Sequence, residues 1–242
     1  MKFEYDSHTH TLASGHAYNT ILELAKAASE KGLRLLCITD HAPGLPRTTH
    51  RDHFYNLKIV DRELYGVRMM MGAELNVMDY EGTIDLETRI LSTLDMAIAS
   101  MHPLCMPEGG TKAQYTEAAL RVMENPYVRI LGHPDDGQYP LDYEAVVRAA
   151  LENHVLLEAN NTSLSPASCR KNSRENLREM LLCCKRLGAP ITIGSDAHFC
   201  TQVGAHDYAE ALLSEVGFPE ELVMNTDADA FAAFMQEKKP LH

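Results

Sequence analysis

Short apolar runs alternate along the whole chain with amphipathic stretches of helical period, the pattern that builds a parallel sheet or barrel. The apolar runs predict strands at Phe3–Ser7, Arg34–Thr39, Arg68–Glu74, Met96–Ser100, Arg129–Gly132, Val155–Ala159 and Pro190–Gly194. Helix boundaries are legible between them. Thr20 with Glu23, and Thr111 with Gln114, have the spacing of capping boxes, and Gly32 stands where the first of these helices should stop. Asp142 is placed to cap a helix ending near Glu152. Ser173 opens a longer helix that Gly188 and Pro190 end, and two helices with acidic caps follow Gly204. The segment Leu75–Asp85 reads as a strand extension or hairpin turning at Glu81-Gly82. His41–His53, which holds two prolines and a glycine, reads as a surface loop over one end of the fold. No linker, internal repeat or low-complexity tract interrupts the series, so the 242 residues predict one α/β domain, residues 1–242.

Composition narrows the function classes. Hydrophobic residues make up 45% and charged residues 23%, enough for a substantial core. No window is apolar for long enough to cross a bilayer, and MKFEYDSHTH lacks the apolar stretch of a secretory signal, so a cytoplasmic location without membrane contact is expected. A formal net charge of −12 argues against a nucleic-acid polymer as partner, which would need clustered Lys and Arg. A small anionic substrate stays compatible, because bound cations reverse the sign locally. The six cysteines form no C-x-x-C pair and read as free thiols, with Cys105 and Cys200 the two close enough to other donor motifs to add a thiolate ligand. Homo-oligomerisation is left open.

Twelve histidines are the unusual figure, and their placement is more unusual still. The first predicted strand runs into His8-x-His10, with His16 in the loop beyond. The second runs into Asp40-His41, the third into Glu74, the fourth into His102 and the fifth into His133. The sixth leads to Glu158 and Asn160, and the seventh to Asp196-x-His198. Nearly every strand therefore ends in a group able to bind metal, and few begin with one. In a parallel barrel those ends share one rim, where active sites are built. Residues two apart on a strand face the same side, so His8 with His10, and Asp196 with His198, can each grip one ion. Asp40 is expected to orient a ligand histidine and Glu158 to sit behind the ligands. Each feature alone has an ordinary reading, such as a turn histidine before proline at His102 or His133, or an N-cap at Asp40. Their order along the chain is what chance explains poorly. His154 reads as a helix-end residue, His206 and His242 as surface residues, and His50 and His53 as part of the solvated loop.

The ordered set HTH, TDH, Glu, His, His and SDAH resembles the PHP (polymerase and histidinol phosphatase) superfamily from His8 to His198. HTHTLASGHAYNT, CITDHAP, GHPD, LEANN and IGSDAH look closest to its small stand-alone phosphatases, which hold three zinc ions. The resemblance implies a distorted TIM-like (β/α)7 barrel. It implies that His8, His10, Glu74 and Asp196 bind one metal, that Glu74 bridges to a second completed by His102 and His133, and that His16, His41 and His198 bind a third. Imidazoles with carboxylates suit zinc, with manganese or iron as alternatives. Three divalent cations against two carboxylates leave about four positive charges, which a hydroxide and a phosphate dianion would largely neutralise and a neutral amide would not. The implied reaction is attack of a metal-bound hydroxide on a phosphate monoester, with Asp196 and Glu74 as supporting carboxylates. Arg170 and Lys171, after the sixth strand, are candidates to grip the phosphate. Nothing in the chain resembles a polymerase module.

Three readings compete at this point. Beside a phosphomonoesterase, which includes a histidinol-phosphate phosphatase with the same motifs, stands an amidohydrolase-type enzyme cleaving C–N bonds on a similar barrel. No lysine ends a predicted strand to carry the carbamate that such enzymes commonly use. A non-catalytic metal-binding domain would instead fill every coordination position with protein.

Overall fold

In the computed structural model, which describes residues 1–237, every predicted apolar run becomes a strand. In chain order the elements are β1 (Tyr5–Asp6), α1 (Ile21–Glu30), β2 (Leu35–Ile38), α2 (Arg51–Asn56), β3 (Glu63–Leu64), β4 (Val67–Asn76), α3 (Thr88–Leu91) and β5 (Met96–Ser100). There follow α4 (Lys112–Glu124), β6 (Val128–Leu131), α5 (Tyr143–Glu152), β7 (Leu156–Asn160), α6 (Ser173–Leu187), β8 (Ile191–Gly194), α7 (Asp207–Val216) and α8 (Ala228–Gln236). Neighbouring strands pair in parallel in the order β1-β2-β4-β5-β6-β7-β8, and only β3 joins antiparallel, on β4. The result is a distorted TIM-like barrel of seven parallel strands in a single α/β domain.

The barrel is nearly closed, and two devices span the seam between its first and last strands. At the upper end Thr9 and Ala197 form a parallel bridge, where His10 N donates to Ala197 O and Asp196 N to His8 O, both at 2.9 Å. Lower down, the buried Asn225 side chain stands in for a strand. Its Oδ1 accepts from Ile193 N at 2.6 Å, and its Nδ2 donates to Ile193 O at 2.8 Å and Tyr5 O at 3.3 Å. Asn225→Ala should leave these buried groups without partners and cost about 3 kcal/mol. Chemical denaturation of the variant checks this, and an unchanged midpoint would mean that the seam is held elsewhere.

Side chains alternate along the strands with period two, which separates two cores. Leu36, Ile38, Met69, Met71 and Leu157 point outward and pack under the helices. Tyr5, Leu35, Met70, Met96, Ile130 and Leu156 point inward at the strand starts, where α8 covers the barrel floor with Ala228, Phe231, Ala232 and Met235. Tyr5 stacks on Phe231 with ring centroids 4.0 Å apart.

Local signals acted largely as expected. Thr20 and Thr111 make their capping boxes with Glu23 and Gln114, Asp142 caps α5, and Gly188 ends α6 in the left-handed region. Met78 N donates to Thr83 O across the turn at Gly82, as a hairpin extension of β4 requires. Three expectations need correction. The His41–His53 stretch is not all loop, because His50 caps α2 by accepting from Asp52 N. The acidic cap holds for α8, at Asp227, but α7 begins at His206 with no side-chain cap bond. His206 is buried and not a surface residue, because Phe3 offers an edge-to-face seat at 5.0 Å. His242 lies outside the described residues. No helix among the described residues is long and apolar enough to cross a membrane.

Candidate metal centre

Following the inward faces upward, the apolar lining gives way to polar side chains. Leu35 and Cys37 are succeeded by Thr39 and His41, Met70 and Gly72 by Glu74 and Asn76, Ile98 by Ser100 and His102, and Leu156 by Glu158 and Asn160. The alternation that builds the core below therefore delivers the candidate ligands above, at the C-terminal ends of the strands.

Glu74 is the hub. Its Oε1 lies 3.4 Å from His8 Nε2, 3.2 Å from His102 Nε2 and 3.0 Å from His133 Nε2. Its Oε2 lies 3.7 Å from His10 Nε2 and 2.6 Å from His41 Nδ1. Asp196 Oδ1 closes the group on the far side, 3.1 Å from His10 Nε2 and 3.8 Å from His8 Nε2. His16 and His198 meet at the rim with Nε2 atoms 3.0 Å apart, and the His16 ring stacks on His41 at 4.9 Å. All nine residues expected to bind metal thus converge in one cluster.

The donor set fits cations. His8 Nε2, His10 Nε2, His41 Nδ1, His102 Nε2 and Glu74 Oε2 are buried and make no hydrogen bond, although several lie close to one another. Buried polar atoms without partners cost free energy, so atoms left this way and aimed at a common point call for an ion. Three sets of ligand atoms fall within ion-sharing range: His8, His10 and Glu74; His41, Glu74 and His102; and His10, His41 and His198. Charge points the same way. Burial alone would push the Glu74 carboxyl up, but His102, His8 and His41 hold it well below the usual carboxylate range. Asp196 behaves alike, with His8 and Arg170 overcoming burial. Burial and the neighbouring His41 and His198 push His10 well down, leaving the neutral imidazole that a metal requires. Burial opposes charge on His8 too, yet Glu158, Glu74 and Asp196 together raise its proton affinity, and that same field would hold a cation in the proton's place.

Outside the ligands a set of bonds fixes the rings. Glu158 Oε1 lies 2.7 Å from His8 Nδ1, and its Oε2 accepts from His133 N at 2.8 Å. Gly194 makes room for that carboxylate, since a Cβ there would fall 2.0 Å from Glu158 Oε1. Asn76 Oδ1, two residues beyond Glu74 on the same face, lies 2.7 Å from His102 Nδ1. Asp40 is held at about 2 against burial, chiefly by His53 and His10. It acts on the ligands differently from expectation: its direct imidazole partner is His53, at 3.1 Å, and it reaches His10 only through Ser14. Ser14 Oγ donates to Asp40 at 2.7 Å and lies 3.0 Å from His10 Nδ1. His53, expected in a solvated loop, is therefore anchored from α2, because the buried Asp40 carboxylate needs donors. Ser14 carried no sequence signal, whereas Asn76 was readable from strand period. Two ligand candidates, His133 (φ 26°) and Asp196 (φ 56°), stand in the left-handed region, strain of the kind that clusters at functional sites.

Above the cluster lies a cavity of about 300 Å³, lined by His16, His41, His102, His133, Asp196 and His198, with Leu45, Met101, Pro103 and Leu104 along one wall. Arg170 reaches it from behind. Its Nη2 donates to Asp196 Oδ2 at 2.9 Å, and its Nη1 to Asn160 Oδ1 at 3.1 Å and Ser163 Oγ at 3.0 Å. Lys171 does not line this cavity; its backbone N donates to Asp136 Oδ1 at 3.2 Å, and the residue lines an adjoining recess. Cys105 and Cys200 enter none of the close ligand sets, and burial raises the Cys105 thiol to about 11, so it stays protonated.

Residues 6–224 match the PHP domain. A protein named as a probable phosphatase from Acetivibrio thermocellus is 45% identical over 99% of this chain and 98% of its own length. Another so named, from Clostridium novyi, is 44% identical over 100% and 98%. Among solved structures, a histidinol phosphate phosphatase from Lactococcus lactis, complexed with zinc, histidinol and phosphate, shares the fold with a TM-score of 0.58. It is 18% identical, over 89% of this chain and 94% of that one.

Proposed function

The chain belongs to the PHP domain family, and from that premise we propose that it is a metal-dependent phosphatase acting on small phosphate monoesters. The observation that carries this is the set of buried, unpartnered imidazole and carboxylate atoms around Glu74, on the floor of a cavity with an arginine at its side. The proposed ligand groups are His8, His10, Glu74 and Asp196; Glu74, His102 and His133; and His16, His41 and His198, for three divalent ions. Zinc suits these donors best, with manganese or iron as substitutes.

Bound there, such ions supply Lewis acidity, lowering the pKa of a water and neutralising charge on phosphate oxygens. The protein's own part is positioning. Glu158 fixes His8 in one tautomer through Nδ1, so that Nε2 faces inward, and Asn76 does the same for His102. Asp40 and Ser14 hold His10. Arg170 adds a charge that never titrates beside Asp196, and its remaining N–H donors suit phosphate oxygens.

Metal analysis joined to turnover of phenyl phosphate tests the proposal. Chelation should remove the ions and reduce hydrolysis to background, and zinc or manganese should restore it. A metal-loaded protein that hydrolyses no phosphomonoester would refute it.

A further inference from the structure

Beside the histidine cavity, and sharing Gln138 with it, is a second recess of about 180 Å³ lined by Glu108, Gly109, Tyr115, Gln138, Tyr139 and Lys171. Its frame is built. The buried Asp136 carboxylate accepts from Gln138 N at 3.0 Å, Gln138 Nε2 at 3.1 Å and Lys171 N at 3.2 Å. Gly137 N donates to Lys171 O at 2.7 Å, and a Cβ on Gly137 would come within 2.6 Å of that same oxygen. Two loops, after β6 and β7, are thereby locked together at the point where Lys171 leaves the backbone.

The Gln138 amide and the Tyr115 hydroxyl are engaged, by Asp136 and by Gly110 N and Pro107 O, but three other groups lining this space are free. Among the described residues neither Lys171 nor Glu108 forms an ion pair, and the Tyr139 hydroxyl has no hydrogen-bond partner. One ammonium and one carboxylate cancel, so the recess favours neither an anion nor a cation as a whole. It offers donors at Lys171 and Tyr139, acceptors at Glu108 and Tyr139, and the faces of two tyrosines set edge to face at 5.3 Å. That combination matches a neutral group bearing several hydroxyls, each of which both donates and accepts. At roughly 30 Å³ per displaced water, the space takes about six waters' worth of ligand.

Resting on the phosphatase reading above, we propose that the alcohol released from the phosphate ester is a polyol or sugar. Its phosphate would lie at the histidine cluster and its hydroxyls would pass Gln138 to meet Lys171, Glu108 and Tyr139. These three are then specificity residues, and Lys171 recognises the leaving group instead of the phosphate.

The test compares glucose 6-phosphate and ribose 5-phosphate with phenyl phosphate and fructose 1,6-bisphosphate on the metal-loaded protein. The ratio of kcat/KM for the better sugar monophosphate to that for phenyl phosphate should favour the sugar. It should fall about tenfold or more in both Glu108→Gln and Lys171→Ala, through KM, because each removes partners of the substrate hydroxyls. A ratio that neither favours the sugar nor moves in the variants overturns the inference while leaving the phosphatase reading intact. A tenfold preference for the bisphosphate overturns it in favour of a second anion. Failure to hydrolyse any of the four esters removes both readings together.

Discussion

Glu74→Gln is expected to lose both its metal and its turnover, at least about 10³-fold in kcat, which corresponds to roughly 4 kcal/mol of barrier. The side chains are nearly the same size, so packing around this 1% exposed position should survive. What changes is charge. Five imidazoles stand within 4 Å of one carboxylate: His8, His102 and His133 on Oε1, and His10 and His41 on Oε2. An amide offers one oxygen and two N–H donors to rings that, on the proposed ligand grouping, share their ions through an anion. Elemental analysis and turnover of the same preparation should fall together, with far-ultraviolet circular dichroism unchanged. Full metal content with lost activity would show that Glu74 acts on substrate and is not a ligand.

Gly194→Ala should do comparable damage from behind the site. The glycine's φ is not positive, so the reason for it is space and not backbone freedom. An added methyl would collide with Glu158 Oε1 at 2.0 Å and with His8 Cβ at 2.7 Å. Glu158 would have to swing away, giving up the His8 Nδ1 contact at 2.7 Å and the His133 N–H bond at 2.8 Å. Overpacking of this kind costs about 1–3 kcal/mol, and loss of a carboxylate that orients a metal-bound histidine costs about 10–100-fold in activity or affinity. A variant with native melting temperature and native kcat would show that Glu158 is not needed to hold His8.

Much of this was readable in the chain. Apolar runs found all seven parallel strands because parallel strands are buried on both faces and need continuous apolar sequence. The clustering of the rim histidines was legible because strand period and a common rim leave few alternatives. What escaped was whatever depends on contacts between segments far apart in sequence. Ser14 looks like any loop serine until Asp40 and His10 are brought to either side of it. His206 looked exposed because nothing local announces Phe3 beneath it. Lys171, named beside Arg170 as a phosphate candidate, instead lines the neighbouring recess, where its backbone is tied to Gly137 N and Asp136 across a contact that sequence does not announce. The pairing of His53 with Asp40 was missed for a related reason, since α2 is short and its register is set by the carboxylate it serves.

The bridge between Thr9 and Ala197 also sets a timetable. Synthesis delivers His8 and His10 long before Asp196, their carboxylate across the seam. On the ligand grouping proposed above, cation capture at that corner waits on β8 docking beside β1. Occupancy would then report that the barrel seam has closed.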